Sequence, residues 1–89
     1  GPPIPDNAAS GRVSATTVST VDIDNRRLRL APGARIYSLS NTTVTPNMVV
    51  PGSTVRYVFD ERGQVRTIWI VDDGGGARRA LPRQPGQRP

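Results

Sequence analysis

Residues 53–71 alternate apolar and polar side chains, break at Asp60-Glu61-Arg62-Gly63, and resume as a second apolar run closing on Ile68-Trp69-Ile70-Val71. Two such runs joined by a short glycine-containing turn predict a β-hairpin. Asp at the first turn position and Gly at the fourth suit a type I turn with a G1 bulge, in which Gly63 is left-handed and Asp60 pairs with Gln64. Carried along both strands, that register puts Val55, Tyr57, Phe59, Val65, Thr67 and Trp69 on one face. Arg56, Val58, Arg66, Ile68 and Ile70 fall on the other. Neither face is polar near residues 68–71, so the last strand is expected to be central or enclosed, as in a sheet curled on itself.

Upstream the apolar period stays close to two, with turn residues recurring between the runs, which favours an all-β barrel or sandwich. A first strand is predicted over residues 12–18, continuing through a bend into residues 19–23. Asp24-Asn25 suits a two-residue turn, because both residues tolerate positive φ. Ile23 then faces Arg26, Val21 faces Leu28 and Ser19 faces Leu30. Val21, Ile23, Leu28 and Leu30 form a core face, and Asp22 with Arg27 and Thr20 with Arg29 form a solvent face. Ala31-Pro32-Gly33-Ala34 has the Pro-Gly order of a type II turn, leading into a short strand at Arg35-Ile36-Tyr37. Residues 39–50 are rich in Ser and Thr and interrupted by Pro46. They are expected as a long connection across one barrel end, with a loop or helical turn at Asn47-Met48.

The chain is 89 residues long, enough for one domain with a compact core and no deep cleft. Residues 1–10 contain three prolines and one large apolar side chain, Ile4, so they predict a flexible arm with little to bury. Residues 11–73 carry the barrel. Residues 74–89 begin with three glycines and continue with Pro, Gln and Arg, a composition expected to be disordered.

The sequence has no His, Cys or Lys. It therefore lacks the commonest general base, a thiolate, and the amine that could activate its many hydroxyls. The acidic residues gather at turns, where burial seldom raises a carboxyl pKa, and the pairs Asp22/Asp24 and Asp72/Asp73 lack the rest of an EF-hand pattern. No catalytic residue, metal site or cofactor is assigned, and the expectation is a protein that is not an enzyme. No run of 18 apolar residues is present, so no membrane span is expected. Net charge is +5, but residues 11–73 hold eight Arg against six acids, a balance of +2, and the acid-free tail adds four more Arg. The basicity is mainly a tail property.

Binding is the remaining class. The candidate residues are Arg27, Arg29, Arg35 and Arg56 on the strands, Tyr57 and Trp69 among the aromatics, and Arg78 and Arg79 in the tail. The 39–50 loop, the Arg27/Arg29 strand face and the tail are the candidate contact surfaces. With four aromatics in the chain, Tyr57, Phe59 and Trp69 are expected as core. The alternative is an outward platform on which bases stack, giving a single-stranded nucleic-acid-binding module. An unidentified protein partner is the favoured expectation, and an open sheet edge would also permit a homo-oligomer.

Residues 21–30, followed by Pro51-Gly52-Ser53-Thr54-Val55-Arg56-Tyr57, resemble the layout of small exported OB-like barrels, including periplasmic copper chaperones of that shape. Those chaperones bind copper through His, Met and Trp, and with no His and one Met here the metal role does not carry over. Residues 30–36 and 63–70 are similar to short exported proteins of β-proteobacteria. The expectation is a five- or six-stranded antiparallel OB-like barrel or strongly curled sheet, and the resemblance implies a periplasmic or secreted location. Pro5-Asp6-Asn7-Ala8-Ala9 is consistent with a polar lead-in after a removed signal peptide.

Overall fold

The computed structural model describes residues 1–73. The expectations for the tail, including Arg78 and Arg79, lie outside the described residues.

Six strands form one sheet: β1 (Ala9–Thr16), β2 (Thr20–Ile23), β3 (Arg26–Tyr37), β4 (Thr43–Val44), β5 (Thr54–Phe59) and β6 (Val65–Asp72), with a 3-10 turn at Pro46–Met48. Five of the strands close a ring, in the order β1-β2-β3-β6-β5 and back to β1, and β4 sits on the outer side of β3. The expected curled all-β domain is what forms, and β6 is enclosed between β5 and β3. One feature of the expectation needs correction. The sheet is not wholly antiparallel, because β3 and β6 run parallel. Parallel neighbours need a crossover, and residues 38–53 together with β5 supply it.

The β2–β3 hairpin has the predicted register, with Val21 opposite Leu28 and Ile23 opposite Arg26. Asp24 and Asn25 take φ of 52° and 66°, the left-handed pair of a type I′ turn. Val21, Ile23 and Leu30 are buried, while Asp22 and Arg27 form an ion pair at 3.0 Å on the outer face.

Three local expectations are overturned. The single first strand is two strands folded back at residues 17–19. There the Thr17 hydroxyl accepts hydrogen bonds from the Ser19 and Thr20 amides, supplying a turn without Gly or Pro. Pro32-Gly33 does not separate two strands but sits within β3. The six residues of β3 from Leu30 to Arg35 span only the three of β6 from Val65 to Thr67, and Gly33 has φ of 77° in the bulge. A bulge bends a strand and increases its twist, which helps a sheet to close.

The third correction concerns the β5–β6 hairpin. Its turn is as predicted: Gly63 has φ of 77°, the Asp60 amide donates to the Gln64 carbonyl at 2.7 Å, and the Asp60 carboxylate accepts from the Arg62 and Gln64 amides. The register then slips, since Phe59 faces Val65 but Val58 faces Thr67. From there Tyr57 lies opposite Ile68 and Arg56 opposite Trp69. Ile68 joins Val55, Tyr57 and Val65 in the core, and Trp69 does not.

The core is made of mostly β-branched side chains packed with Tyr57, and Val49 from the 39–50 connection joins it. That connection is tied to β1 by the Thr16 hydroxyl, which donates to the Pro46 carbonyl at 2.8 Å. Buried Ser53 is satisfied by donating to the Val50 carbonyl at 2.6 Å. Gly11 lies where β1 passes from β5 to β2, and a Cβ there would stand 2.6 Å from an Asp24 carboxylate oxygen. The close approach lets that carboxylate accept from the Arg12 amide.

Candidate binding site

The slipped register creates a row of side chains on the outside of the barrel. Arg56 on β5 and Tyr37 on β3 both flank Trp69 on β6. The rings of Tyr37 and Trp69 stack with centroids 6.3 Å apart and planes at 25°. A cation, an indole and a phenol thus stand side by side across three adjacent strands.

Residues 1–8 lie across this row, held by hydrogen bonds to their main-chain carbonyls and with none of their side chains fully buried. Near Arg56 the arm makes a turn, the Ala8 amide donating to the Pro5 carbonyl at 3.1 Å. The Arg56 Nη2 donates to the carbonyls of Ala8 at 2.8 Å, Asp6 at 3.2 Å and Pro5 at 3.4 Å. Further along, the Trp69 indole N–H donates to the Pro2 carbonyl at 3.0 Å. At the far side Gly1 rests on the Tyr37 ring, where a Cβ would be 2.5 Å from two ring carbons. The Gly1 nitrogen donates to the Asn41 carbonyl at 3.2 Å, and the Asn41 side-chain amide donates to the Gly1 carbonyl at 3.3 Å. Asn41 takes a left-handed φ of 68° within the turn that presents it.

The dimensions match. Two strand spacings amount to about 10 Å. An extended proline-rich segment rises about 3.1 Å per residue, so the four steps from Gly1 to Pro5 span about 12 Å. Proline lacks an N–H and cannot add to a sheet edge, but its carbonyl is free to accept. Arg56 and Trp69 use that property by donating only to main-chain oxygens.

The other sequence candidates are placed elsewhere. Tyr57, only 2 % exposed, is a core residue whose hydroxyl accepts from Arg26 at 3.4 Å, and it meets Phe59 edge-on at 5.5 Å. Trp69 is also buried, but beneath the arm on the opposite face of the sheet. Tyr57, Phe59 and Trp69 therefore do not make one platform. Arg27 is engaged by Asp22, and the hydrogen bond and the charge of that carboxylate raise the guanidinium pKa. Arg29 and Arg35 are exposed on β3. Among the described residues no group of three or more acidic side chains could hold a metal ion, and no helix is long and apolar enough to cross a membrane.

Sequence reasoning named Arg56 and Trp69 but missed Tyr37, Asn41 and the arm. One signal was available: Arg66-Thr67 is a polar doublet between Val65 and Ile68, an apolar spacing of three that breaks the period of two. No protein-family model, curated protein or solved structure matches this chain, so its role has to be argued from its own geometry.

Proposed function

We propose that this chain is a non-catalytic binding module built on an OB-like barrel, exported to the periplasm or cell surface, which engages a protein partner through an extended segment. The observation that carries this reading is the Arg56–Trp69–Tyr37 row, which holds a length of chain by its carbonyl oxygens. Contacts of that kind read backbone conformation and tolerate many side chains, as suits a peptide-binding surface. The five-strand ring with its parallel β3/β6 pair supports the OB-like description, and the resemblance to exported barrels supports the location.

Stacking of nucleic-acid bases has less support. It needs exposed rings, and Tyr57 is enclosed by the barrel while Trp69 is covered. Edge-strand self-association also has less to work with, since ring closure leaves the two-residue β4 as the terminal strand.

The test is an amide NMR titration of the labelled protein at near-physiological salt, with an eight-residue extended peptide in one series and a single-stranded oligonucleotide in the other. Salt-resistant shifts at Trp69, Tyr37 and Arg56 with peptide are expected. The same shifts with oligonucleotide alone would transfer the site to nucleic acid.

A further inference from the structure

We propose that the Arg56–Trp69–Tyr37 row is a proline-peptide site which the chain's own residues 1–8 occupy in cis, and which a proline-rich segment of a second protein takes in competition with them. This deepens the reading above and rests on it.

Three observations carry the assignment. The occupant seen on the row begins Gly-Pro-Pro-Ile-Pro, a sequence whose three prolines preset an extended conformation. The central contact is an indole N–H donating to a proline carbonyl, beside a second aromatic ring stacked on the first. Aromatic-lined surfaces with such a donor suit polyproline segments, because little conformational freedom is lost when they bind. Finally, the arm's side chains are not what the row grips by hydrogen bonds: Ile4, Pro5 and Ala8 are half-buried and the rest are exposed. Pro2 and Pro3 are exposed, and the polar contacts from Arg56, Trp69 and Asn41 end on carbonyl oxygens.

The surface is therefore complementary to the backbone shape of a proline-rich strand and not to this one arm. Leu39, Trp69 and Ile70 line a shallow open depression beside Pro2 and Pro3, where an incoming segment could begin to exchange. A tethered arm competes at an effective concentration of about millimolar, so the intact protein should bind a free peptide weakly. Loosening the arm should then tighten that binding.

The chain has one Trp, so its indole N–H resonance and its emission both report on the row. The experiment titrates the full chain and its Pro2→Gly/Pro3→Gly variant with two peptides: the arm sequence Gly-Pro-Pro-Ile-Pro-Asp-Asn-Ala, and the same peptide with alanine for each proline. The proline peptide is expected to shift the Trp69 indole signal in both proteins, and to bind the variant at least tenfold more tightly. The alanine peptide is expected to bind at least tenfold less well than the proline peptide. Equal binding of both peptides would overturn the proline assignment while leaving the extended-segment reading in place. No shift with either peptide, even at millimolar concentration on the wild-type chain, would overturn both and leave the arm as a strap. A concentration-dependent dimer that the proline peptide fails to dissociate would also overturn it, giving the row to the arm of a second copy.

Discussion

The β2–β3 and β5–β6 hairpins start from equally legible turns and end differently. In β2–β3 the two-residue turn feeds an unbroken ladder, and each side chain keeps the face that simple alternation assigns to it. In β5–β6 one residue more is placed on β6 than on β5 between Val58 and Phe59, and the pairing from Val58 to Val55 is displaced by one. Because strand periodicity is two, that single residue moves Ile68 into the core and Trp69 out of it. The regular hairpin builds barrel wall, and the bulged one turns Trp69 towards the docked arm.

The largest expected effect comes from testing the two faces of β6 against each other. Ile68→Ala should destabilise the fold by about 2–5 kcal/mol in chemical denaturation, since it leaves a void in a closed core. Trp69→Ala should cost less, about 1.5–3 kcal/mol, and should keep a cooperative melt, because the arm can lift and be resolvated. If Trp69→Ala abolished cooperative melting, the division between wall and surface would be lost. At the turns, Gly63→Ala should cost about 1–2 kcal/mol, as an L side chain is forced to a φ of 77°. Asn25→Gly in the regular hairpin should be neutral or stabilising by about half a kcal/mol, since Gly suits the second position of a type I′ turn. Both are read from the shift in denaturation midpoint. Asp22→Asn should give the smallest change, one that disappears in high salt, because its Arg27 partner is largely exposed. Arg27 has its pKa raised in the folded chain, so its share of that pair is present throughout the ordinary pH range and would be lost only on deprotonation at strongly alkaline pH. A midpoint difference between wild type and Asp22→Asn that persisted in high salt would show the solvent face of β2–β3 to be more than wall.

What was readable along the chain follows from what was local. Asp24-Asn25 and Asp60–Gly63 specify their turns through residues that accept left-handed backbone, and such residues stand out in a sequence. The reversal at residues 17–19 does not, because a threonine hydroxyl organises it and threonine is equally at home in a strand. Pro32-Gly33 carries a turn signature, yet pairing to β6 on one side absorbs it as a bulge in a continuous strand. The candidate site divides in the same way. Arg56 and Trp69 are conspicuous as residue types, but Tyr37 becomes their neighbour only through the parallel β3/β6 pairing. That pairing joins segments about thirty residues apart in sequence.

Alternation, turn chemistry and the lack of His, Cys and Lys were sufficient to specify a small all-β domain, the strands of its regular hairpin, and a chemistry poor in catalytic groups. Those properties depend on a residue and its near neighbours. The closure of the ring, the outward turn of Trp69 and the docking of a proline-rich arm upon it depend on which distant strands meet and in what register. Register is set cooperatively by the packing of both sheet faces, so no stretch of the chain carries it alone.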